Sequence, residues 1–339
     1  MSPNFISVSV IIPCRNEGRF IKRVLQRLLE QDYSDPFEIL VVDAMSRDDT
    51  VHQVKSFIEK TNAKHIKIIS NEKIIIPAGL NIGIKNAVGE IVIRMDGHAL
   101  PQRDYVRKAV NTLLESGYDV VGGICKSVPA ADNNWAKAIS IGISYIFGVG
   151  DSRFRIANSQ QSACFVDTVP FGCFKKSLWK ELGGFDESLL TNEDYDFNYR
   201  VRKKDGTVYL TPELVTEYVA RSSLAELAKQ YFRYGKWKFR MLLKQPRSIR
   251  LRHFVPPIFL LVLFLSGVLS MSLIPASILF VVLLATYLMA NLVAAVHASQ
   301  KNKNLRLFPY LIIVFIIMHF SWGGGFWYSI FEQIGRKKS

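Results

Sequence analysis

Short β-branched runs alternate with amphipathic stretches over the first hundred residues of the chain. The apolar runs predict strands at 7–12, 39–42, 66–69 and 91–95. The amphipathic stretches predict helices at 19–30, 50–58 and 78–87. Strand–helix–strand repetition at this spacing predicts an α/β fold, in which helices cover both faces of a Rossmann-like, mainly parallel sheet.

The pattern after Asp96 is looser, but it still mixes helices and strands. It predicts, in chain order, a helix at 103–114, a strand at 119–122, a strand region at 165–174, helices at 175–182 and 194–203, a strand at 207–210 and a long helix from about Ser223. The apolar stretch 135–150 fits either a helix facing a membrane interface or ordinary core. Residues 151–163 are polar and predict a loop.

The C-terminal third is apolar enough to enter a membrane. Residues 254–300 and 307–331 contain no Asp, Glu, Lys or Arg. A bilayer core of ~30 Å needs ~20 apolar helical residues per span. We therefore predict a membrane domain at 254–334 and exclude a wholly soluble or disordered protein. Its three apolar segments are expected near 256–273, 276–297 and 308–331.

The positive charge is confined to the same end of the chain. Residues 229–339 carry 15 basic residues and one acid, Glu332, and supply the whole net charge of +14, whereas residues 1–228 carry 28 of each sign. This distribution excludes a uniformly basic nucleic-acid-binding protein. The basic, aromatic-rich segment 229–253 instead predicts an amphipathic helix against anionic membrane lipids. Residues 1–228 form the predicted cytosolic domain.

The termini bear on the location and topology of the protein. Met1 to Asn4 carry no basic or long apolar signal, so we expect no signal peptide and a multi-pass protein of the cell membrane with its soluble half in the cytoplasm. Three spans would put Arg336, Lys337 and Lys338 outside, against the positive-inside tendency. A break at 323–325 with a re-entrant path would avoid this, and both topologies stay open. The four cysteines form no CxxC pair, which favours reduced thiols.

Polar side chains follow all four of the first predicted strands. In open parallel sheets, ligands bind beyond the carboxyl ends of the strands, so a site there is favoured over four unrelated turns. The candidate binding residues are Pro13, Arg15, Asn16, Glu17, Asp43, Ser46, Asn71, Lys73 and Asp96.

Asp96 and His98, separated by one glycine, are the candidate metal ligands. Hard divalent cations bridge carboxylate and phosphate oxygens, so this pair predicts a Mg²⁺ or Mn²⁺ diphosphate site, with the histidine favouring Mn²⁺. We expect Gly97 to let a phosphate approach. Alternatively, Asp96 is a turn residue, and His98 hydrogen-bonds only a phosphate or a loop.

Glu193, Asp194 and Asp196 cluster at the start of a predicted helix. Such carboxylates often complement the helix dipole, and this is the favoured interpretation for Asp196. Crowded carboxylates can also raise one another's pKa towards the value that a general base needs. Asp194 and Glu193 are therefore the candidate catalytic residues, with an acceptor hydroxyl as the source of the proton.

Together these strings resemble the motifs of family 2 glycosyltransferases, which have the GT-A nucleotide-sugar fold. The resemblance covers about residues 7–240. The matching strings are Pro13-Cys14-Arg15-Asn16-Glu17, Asp43 with Ser46, Asp48 and Thr50, the segment 78–83 that includes Asn81, Asp96-Gly97-His98 in the place of Asp-x-Asp, Gly183-Gly184-Phe185-Asp186-Glu187, Glu193-Asp194, and Gln230-x-x-Arg233-Tyr234, which is similar to Gln-x-x-Arg-Trp. With the C-terminal apolar segments, the sequence looks most like the ExoA-type enzymes of bacterial exopolysaccharide assembly.

The resemblance implies roles for these residues. Glu17 and Asp43 would hold the uridine or ribose, Asp96 the metal-bound diphosphate, and Asp194 would be the catalytic base. Asn81, Gln230 and Arg233 join the predicted nucleotide-sugar site, with Arg233 able to reach a leaving diphosphate.

The function that this resemblance implies is inverting sugar transfer. The expected donor is a UDP-sugar and the expected acceptor a polyprenyl-diphosphate-linked saccharide at the membrane; nucleic acid is not an expected partner. Two alternatives stay open. One is a processive polysaccharide synthase, which the Gln230 motif favours, and the other is a non-catalytic membrane scaffold that keeps the nucleotide-sugar fold.

Overall fold

The computed structural model describes residues 7–157, 161–248 and 250–336. The predicted loop residues Asn158, Ser159 and Gln160, the first residues of the chain, and Lys337 and Lys338 lie outside the described residues. The strands are β1 Val8–Cys14, β2 Phe37–Asp43, β3 Ile66–Ser70, β4 Ile91–Arg94, β5 Ala99–Pro101, β6 Val120–Val128, β7 Cys164–Phe165, β8 Cys173–Lys175 and β9 Val208–Val219. The α-helices are α1 Ile21–Leu29, α2 Thr50–Thr61, α3 Ile76–Asn86, α4 Tyr105–Ser116, α5 Asn134–Gly142, α6 Ile146–Val149, α7 Arg153–Ile156, α8 Lys176–Glu181, α9 Glu193–Lys203, α10 Leu224–Lys244, α11 Leu251–Leu269, α12 Ile274–Lys301 and α13 Phe308–Arg336.

The strands form one sheet in the order β3-β2-β1-β4-β8-β6-β9-β5, and β7 pairs with β9. The strands β3, β2, β1 and β4 are parallel, as predicted, whereas β8 is antiparallel to both β4 and β6. The predicted strand region at 165–174 is two short strands, because Pro170 between them has no amide hydrogen to donate to a ladder.

The register of the parallel strands brings the predicted polar residues to one edge of the sheet. Cys14 of β1 lies opposite Asp43 of β2, and Asp43 lies opposite Ser70 of β3. The central residues of these strands are almost fully buried, as expected for a parallel sheet with helices on both faces. The loops that follow the three strands therefore leave the core at the same level.

The chain divides into two compact units, Met1–Lys126 with Ala157–Tyr218, and Ser127–Ile156 with Val219–Ser339. The first unit holds most of the sheet and all but two of the predicted site residues. The second unit takes in 127–156, which the prediction of one cytosolic domain at 1–228 assigned to the first. The stretch 135–150 is the helices α5 and α6 of this second unit.

Three helices of the second unit are long and apolar enough to cross a membrane, by length and composition: Leu251–Leu269, Ile274–Lys301 and Leu305–Gly335. The first begins five residues before the predicted segment, and the break before Pro275 lies at the turn that separates α11 from α12. The predicted interface helix at 229–253 is divided, because α10 ends at Lys244 just before Pro246. Helix α13 continues through 323–325, where a break was considered.

Candidate active site

The loop after β1 is held by the loop after β2. The backbone N–H of Asn16 donates to Ser46 Oγ at 2.8 Å, and that of Arg47 donates to Asn16 Oδ1 at 2.8 Å. Asn16 has φ 57°, a left-handed conformation that asparagine adopts more readily than most residues. Ser46 thus has a supporting role that the sequence alone did not reveal, while the Arg15 side chain lies exposed.

Glu17 and Gly18 are supported by the same neighbouring loop. The Glu17 N–H donates to Thr50 Oγ1 at 2.8 Å, and the Gly18 N–H donates to Asp48 Oδ2 at 3.1 Å. Asp48 Oδ1 also accepts the N–H of Thr50, the first residue of helix α2, which has no partner within the helix. Asp48 and Thr50 therefore fix the backbone that presents Glu17.

Two buried acceptors at the ends of β2 and β3 have unused capacity. Asp43 Oδ2 accepts the Ser46 N–H at 3.1 Å, but Asp43 Oδ1 has no hydrogen-bond partner among the described residues. The same holds for Asn71 Oδ1, whose side-chain nitrogen donates to Ile75 O. A buried acceptor without a donor is costly, so this pair is suited to a ligand that brings N–H or O–H groups.

His98 contacts Glu17 and keeps one ring nitrogen unused. His98 Nδ1 lies 2.9 Å from Glu17 Oε1, and the ring packs edge-on against Tyr218 with centroids 5.0 Å apart. Nε2 is buried and has no partner within the described chain. The expectation for Gly97 is corrected, since a Cβ there would lie 2.9 Å from Glu17 Cγ. The Glu17 side chain occupies the space beside Gly97, and its close approach requires that Gly97 have no side chain.

Arg94 joins the predicted metal side of the site to the predicted catalytic side. Its Nη2 lies 3.2 Å from Asp96 Oδ1 and 2.9 Å from Glu193 Oε1. Only 8% of the Arg94 side chain is exposed, and Nε and Nη1 have no partner among the described residues. Arg94 was missed in the sequence, although a cation at the end of the apolar run of β4 was the available signal.

Glu193 and Asp194 begin helix α9, after Asn192 in a left-handed conformation with φ 70°. Burial raises the pKa of Glu193 to about 7; the Arg94 guanidinium opposes this rise, and the Asp194 carboxylate adds to it. Asp194 is half-buried, and its Oδ1 accepts the Tyr195 N–H at 2.7 Å. The two candidate catalytic carboxylates thus differ, one paired inside the protein and one closer to solvent.

Asp196 is buried and forms an ion pair with Arg200, a structural role that differs from the helix-dipole role favoured from the sequence. Arg200 Nε donates to Asp196 Oδ2 at 2.7 Å, and the two other guanidinium nitrogens donate to the carbonyls of Leu182 and Gly184. The Asp196–Arg200 pair therefore supports the glycine turn before Phe185.

Lys73 and Asn81 form contacts with other residues of the chain. Lys73 Nζ lies 2.6 Å from Glu187 Oε2, and Asn81 Nδ2 donates to Phe185 O and Glu187 Oε1. Asn81 Oδ1 accepts the Phe185 N–H and Trp179 Nε1–H. These bonds use every donor and acceptor of the Asn81 side chain, so its geometry favours supporting the 183–187 segment over contacting a sugar directly.

Gln230 and Arg233 lie on α10, in the second unit. Gln230 is buried, and its Nε2 donates to Tyr234 Oη at 2.9 Å. The motif Gln230-x-x-Arg233-Tyr234 thus contains an internal contact between its first and last members.

The predicted metal site at Asp96 and His98 has few protein donors. Among the described residues, no group of three or more His, Cys, Asp or Glu side chains is arranged to hold a metal ion. The carboxylate of Asp96 and the buried Nε2 of His98, which has no partner among the described residues, remain as two donors. Two protein donors fit a cation whose other ligands come from a diphosphate.

Comparisons with known proteins bear on this site. The sequence model of "Glycosyl transferase family 2" matches residues 9–183. The chain is 33% identical over 248 residues, 71% of this chain and 75% of the relative, to the dolichyl N-acetyl-alpha-D-glucosaminyl phosphate 3-beta-D-2,3-diacetamido-2,3-dideoxy-beta-D-glucuronosyltransferase of Methanococcus voltae. It is 24% identical to the succinoglycan biosynthesis protein ExoA of Rhizobium meliloti (strain 1021), over 95% of this chain and 94% of that one.

A solved structure shares the fold. The mannosyltransferase PcManGT from Pyrobaculum calidifontis, in complex with GDP-Man and Mn²⁺, matches with a TM-score of 0.58 and 21% identity, covering 92% of this chain and 86% of that chain. The predicted GT-A fold is confirmed.

Proposed function

Because the chain belongs to glycosyl transferase family 2, we propose that this glycosyltransferase moves one sugar from a UDP-hexose to a polyprenyl-diphosphate-linked saccharide, with inversion at the anomeric carbon. The observation that carries the proposal is Arg94, which pairs with Asp96 on the side of the leaving group and with Glu193 beside the candidate base. Asp96 would then act on the leaving-group side of the sugar and Asp194, next to Glu193, on the opposite side, while Arg94 holds Asp96 and Glu193 in one ion-paired cluster.

The nucleotide is assigned to the ends of β1, β2 and β3. The unpartnered Oδ1 atoms of Asp43 and Asn71 are acceptors, and they match the ring N–H of uracil and the hydroxyls of ribose. The loop that carries Asn16 and Glu17 is already ordered by Ser46 and Thr50, which limits the entropy lost when a ligand binds.

The proton of the acceptor hydroxyl is assigned to Asp194. The hydroxyl oxygen bonds to the anomeric carbon, its proton moves to Asp194 Oδ2, and the bond between that carbon and the β-phosphate oxygen of UDP breaks. Asp194 Oδ1 is oriented by the Tyr195 N–H, which directs the carboxylate for this transfer. Attack from the side opposite the leaving group inverts the configuration.

Asp96 and His98 would hold a divalent cation, Mn²⁺ or Mg²⁺, whose chemistry is to neutralise charge on the departing diphosphate. Arg94 orients the Asp96 carboxylate through the ion pair at 3.2 Å.

The membrane helices and the relatives support the proposed acceptor and location. Three helices have the length and composition of membrane spans, and one relative is named for a dolichyl phosphate substrate. We assign the catalytic unit to the cytoplasmic face of the cell membrane, because the basic residues Arg250 and Arg252 stand at the start of the first apolar helix.

The test is transfer of labelled sugar from UDP-glucose and UDP-galactose to membrane lipid. Asp194→Asn should lower transfer by at least ~100-fold, the usual scale for a general base, while Asp132→Asn, on a highly exposed side chain, is the matched control. Undiminished transfer by Asp194→Asn would refute the mechanism. Mass spectrometry of the lipid product separates single addition from a processive synthase, which would release long polymers.

A further inference from the structure

Helix α13 packs closely against the basic helix α10 over its C-terminal half. A Cβ on Gly235 would lie 2.0 Å from the carbonyl oxygen of Trp322, and one on Gly325 would lie 2.0 Å from that of Phe232. Backbones approach this closely only where both helices present glycine. Beyond this crossing, Glu332 pairs with Lys236 at 3.0 Å and with Arg240 at 2.7 Å.

The N-terminal half of α13 packs against α5 and α6. A Cβ on Gly142 would lie 2.5 Å from a methyl group of Val314, and the rings of Trp135 and Tyr310 meet edge-on at 4.7 Å. Further along, His319 Nε2 lies 2.7 Å from Phe147 O. Helix α13 is therefore flanked along most of its length by α5, α6 and α10.

None of these flanking helices is suited to cross a bilayer. Helix α5 has 9 residues and α6 has 4, far short of the ~20 that a span needs. Helix α10 is long enough, but its 21 residues include Lys229, Arg233, Lys236, Lys238, Arg240 and Lys244. Six cations exclude it from the hydrocarbon core. A helix whose backbone touches α10 lies at the same depth.

The hairpin of α11 and α12 contacts α13 from its open end to about its middle, where Tyr287 Oη lies 3.2 Å from His319 Nδ1. Trp327 Nε1 donates to Pro257 O at 2.8 Å near the start of α11. Asn291 Nδ2 donates to Ile312 O at 3.1 Å in the second half of α12. The other end of the hairpin carries exposed apolar side chains on both helices: Phe264, Leu265, Val268, Leu269, Met271, Ile274, Ile278 and Val281.

The hairpin has the dimensions of a bilayer. At 1.5 Å per residue, the 19 residues of α11 extend about 28 Å and the 28 residues of α12 about 42 Å, against a hydrocarbon thickness of ~30 Å. Basic residues stand at its open end, at Arg250, Arg252, Lys301 and Lys303, where anionic headgroups would meet them.

We propose that only the α11–α12 hairpin crosses the lipid bilayer, and that α13 lies along the interface on the same side as α10. The membrane contact is then a two-helix insertion with a flat third helix. Arg336 ends on the side of Lys301 and Lys303, which removes the conflict with the positive-inside tendency. This inference rests on packing within the second unit and not on the proposed sugar transfer.

The test is cysteine labelling of the full chain in sealed right-side-out and inverted membrane vesicles, with a membrane-impermeant maleimide. The variants are Met271→Cys at the hairpin turn, Lys303→Cys after α12, and Gly335→Cys near the end of α13, where no atom lies within 4 Å of an added Cβ. Peptide mass spectrometry identifies the labelled residue, so the native cysteines remain. Labelling in detergent confirms that each new thiol is reactive. If the thiol at position 271 or 335 does not react, Ser272→Cys or Gln333→Cys, respectively, takes its place.

We expect Lys303→Cys and Gly335→Cys to react from one side and Met271→Cys from the other. Opposite sides for positions 303 and 335 would establish a third span and overturn the proposal. The same side for all three positions would mean that the hairpin does not cross, and would overturn it as well. Neither result depends on whether the chain transfers sugar, so failure here is distinguishable from failure of the proposed function.

Discussion

Arg94 Nη2 lies 2.9 Å from Glu193 Oε1 while also lying 3.2 Å from Asp96 Oδ1. A single buried nitrogen thus connects the end of β4 to the start of α9, two elements about one hundred residues apart in the chain. The candidate metal ligand Asp96 and Glu193, which precedes the candidate base, are therefore positioned by one side chain.

Replacing Arg94 with Lys should separate these two contacts. A lysine keeps the charge but ends in a compact ammonium group on a flexible stem, which does not hold a nitrogen at the position of Nη2 between the two carboxylates. We expect kcat for sugar transfer to fall by about 10–100-fold, equivalent to about 1.4–2.7 kcal/mol, with a smaller change in KM for the nucleotide sugar. The control is Arg107→Lys, at a surface pair with Asp32. If Arg107→Lys lowered kcat as much as Arg94→Lys does, a positioning role for Arg94 would be excluded.

Stability should depend on pH through Glu193. Because the pKa of its carboxyl is raised from 4.5 to about 7 in the folded protein, the folded state holds this proton where the unfolded chain has lost it. The free energy of unfolding should therefore fall as pH rises from about 4.5 to about 7. Glu193→Gln should remove this part of the slope, measured as Tm across that range. Parallel Tm curves for the two proteins would contradict the assignment, and Glu59→Gln, at an exposed position of α2, serves as control.

Nucleotide binding should depend on Asp43. Asp43→Asn replaces the unpartnered acceptor Oδ1 with a group that can present N–H donors instead, so we expect UDP affinity to fall by about 10–100-fold, or about 1.4–2.7 kcal/mol. Isothermal titration calorimetry measures this directly. Asp104→Asn, which loses only a surface pair with Lys108, should bind UDP as the unmodified protein does. Equal affinity for both variants would remove Asp43 from the site.

Metal dependence should follow His98. We expect EDTA to abolish transfer and Mn²⁺ to restore it better than Mg²⁺, since imidazole nitrogen favours transition metals. His98→Asn should shift the preference towards Mg²⁺, because an amide oxygen is a harder ligand. The measurement is the ratio of initial rates with the two metals. An unchanged ratio would mean that His98 acts only through Glu17.

The crossing of α10 and α13 should not tolerate side chains. Gly325→Ala places a methyl group against the Phe232 carbonyl, and overpacking of this kind costs about 1–3 kcal/mol. Thermal unfolding in detergent or nanodiscs should show a lower Tm. Gly335→Ala, with open space around it, is the matched control and should unfold as the unmodified protein does. A similar Tm for both would imply that the helices separate easily.

The first half of the fold could be predicted closely because its strands are continuous apolar runs. The predicted strand at 39–42 is β2 Phe37–Asp43, and the predicted helix at 50–58 is α2 Thr50–Thr61. The strand at 207–210 was predicted too short, since Thr211, Glu213 and Thr216 interrupt the apolar pattern of β9. Polar residues on a half-buried strand do not end it.

The candidate site was harder to predict where residues act on one another. The ends of β1 to β4 follow from parallel topology, and they bring Glu17 to His98. The partners of Asn81 and Lys73 are between 98 and 114 residues away in the chain, a distance at which spacing carries no information. Those two residues therefore looked like ligand contacts although their bonds support the 183–187 segment.

The order of synthesis gives the position of α13 a further meaning. His319 contacts Phe147 across 172 residues of chain, and ribosomes extend a chain at ~5–20 residues per second. The faces of α5 and α6 that α13 covers therefore remain uncovered for roughly 9–35 s during synthesis, until α13 has been made. During that interval they expose apolar surface beside a forming membrane hairpin. A chaperone or the bilayer itself has to shield them, and truncation of the last helix would make this exposure permanent.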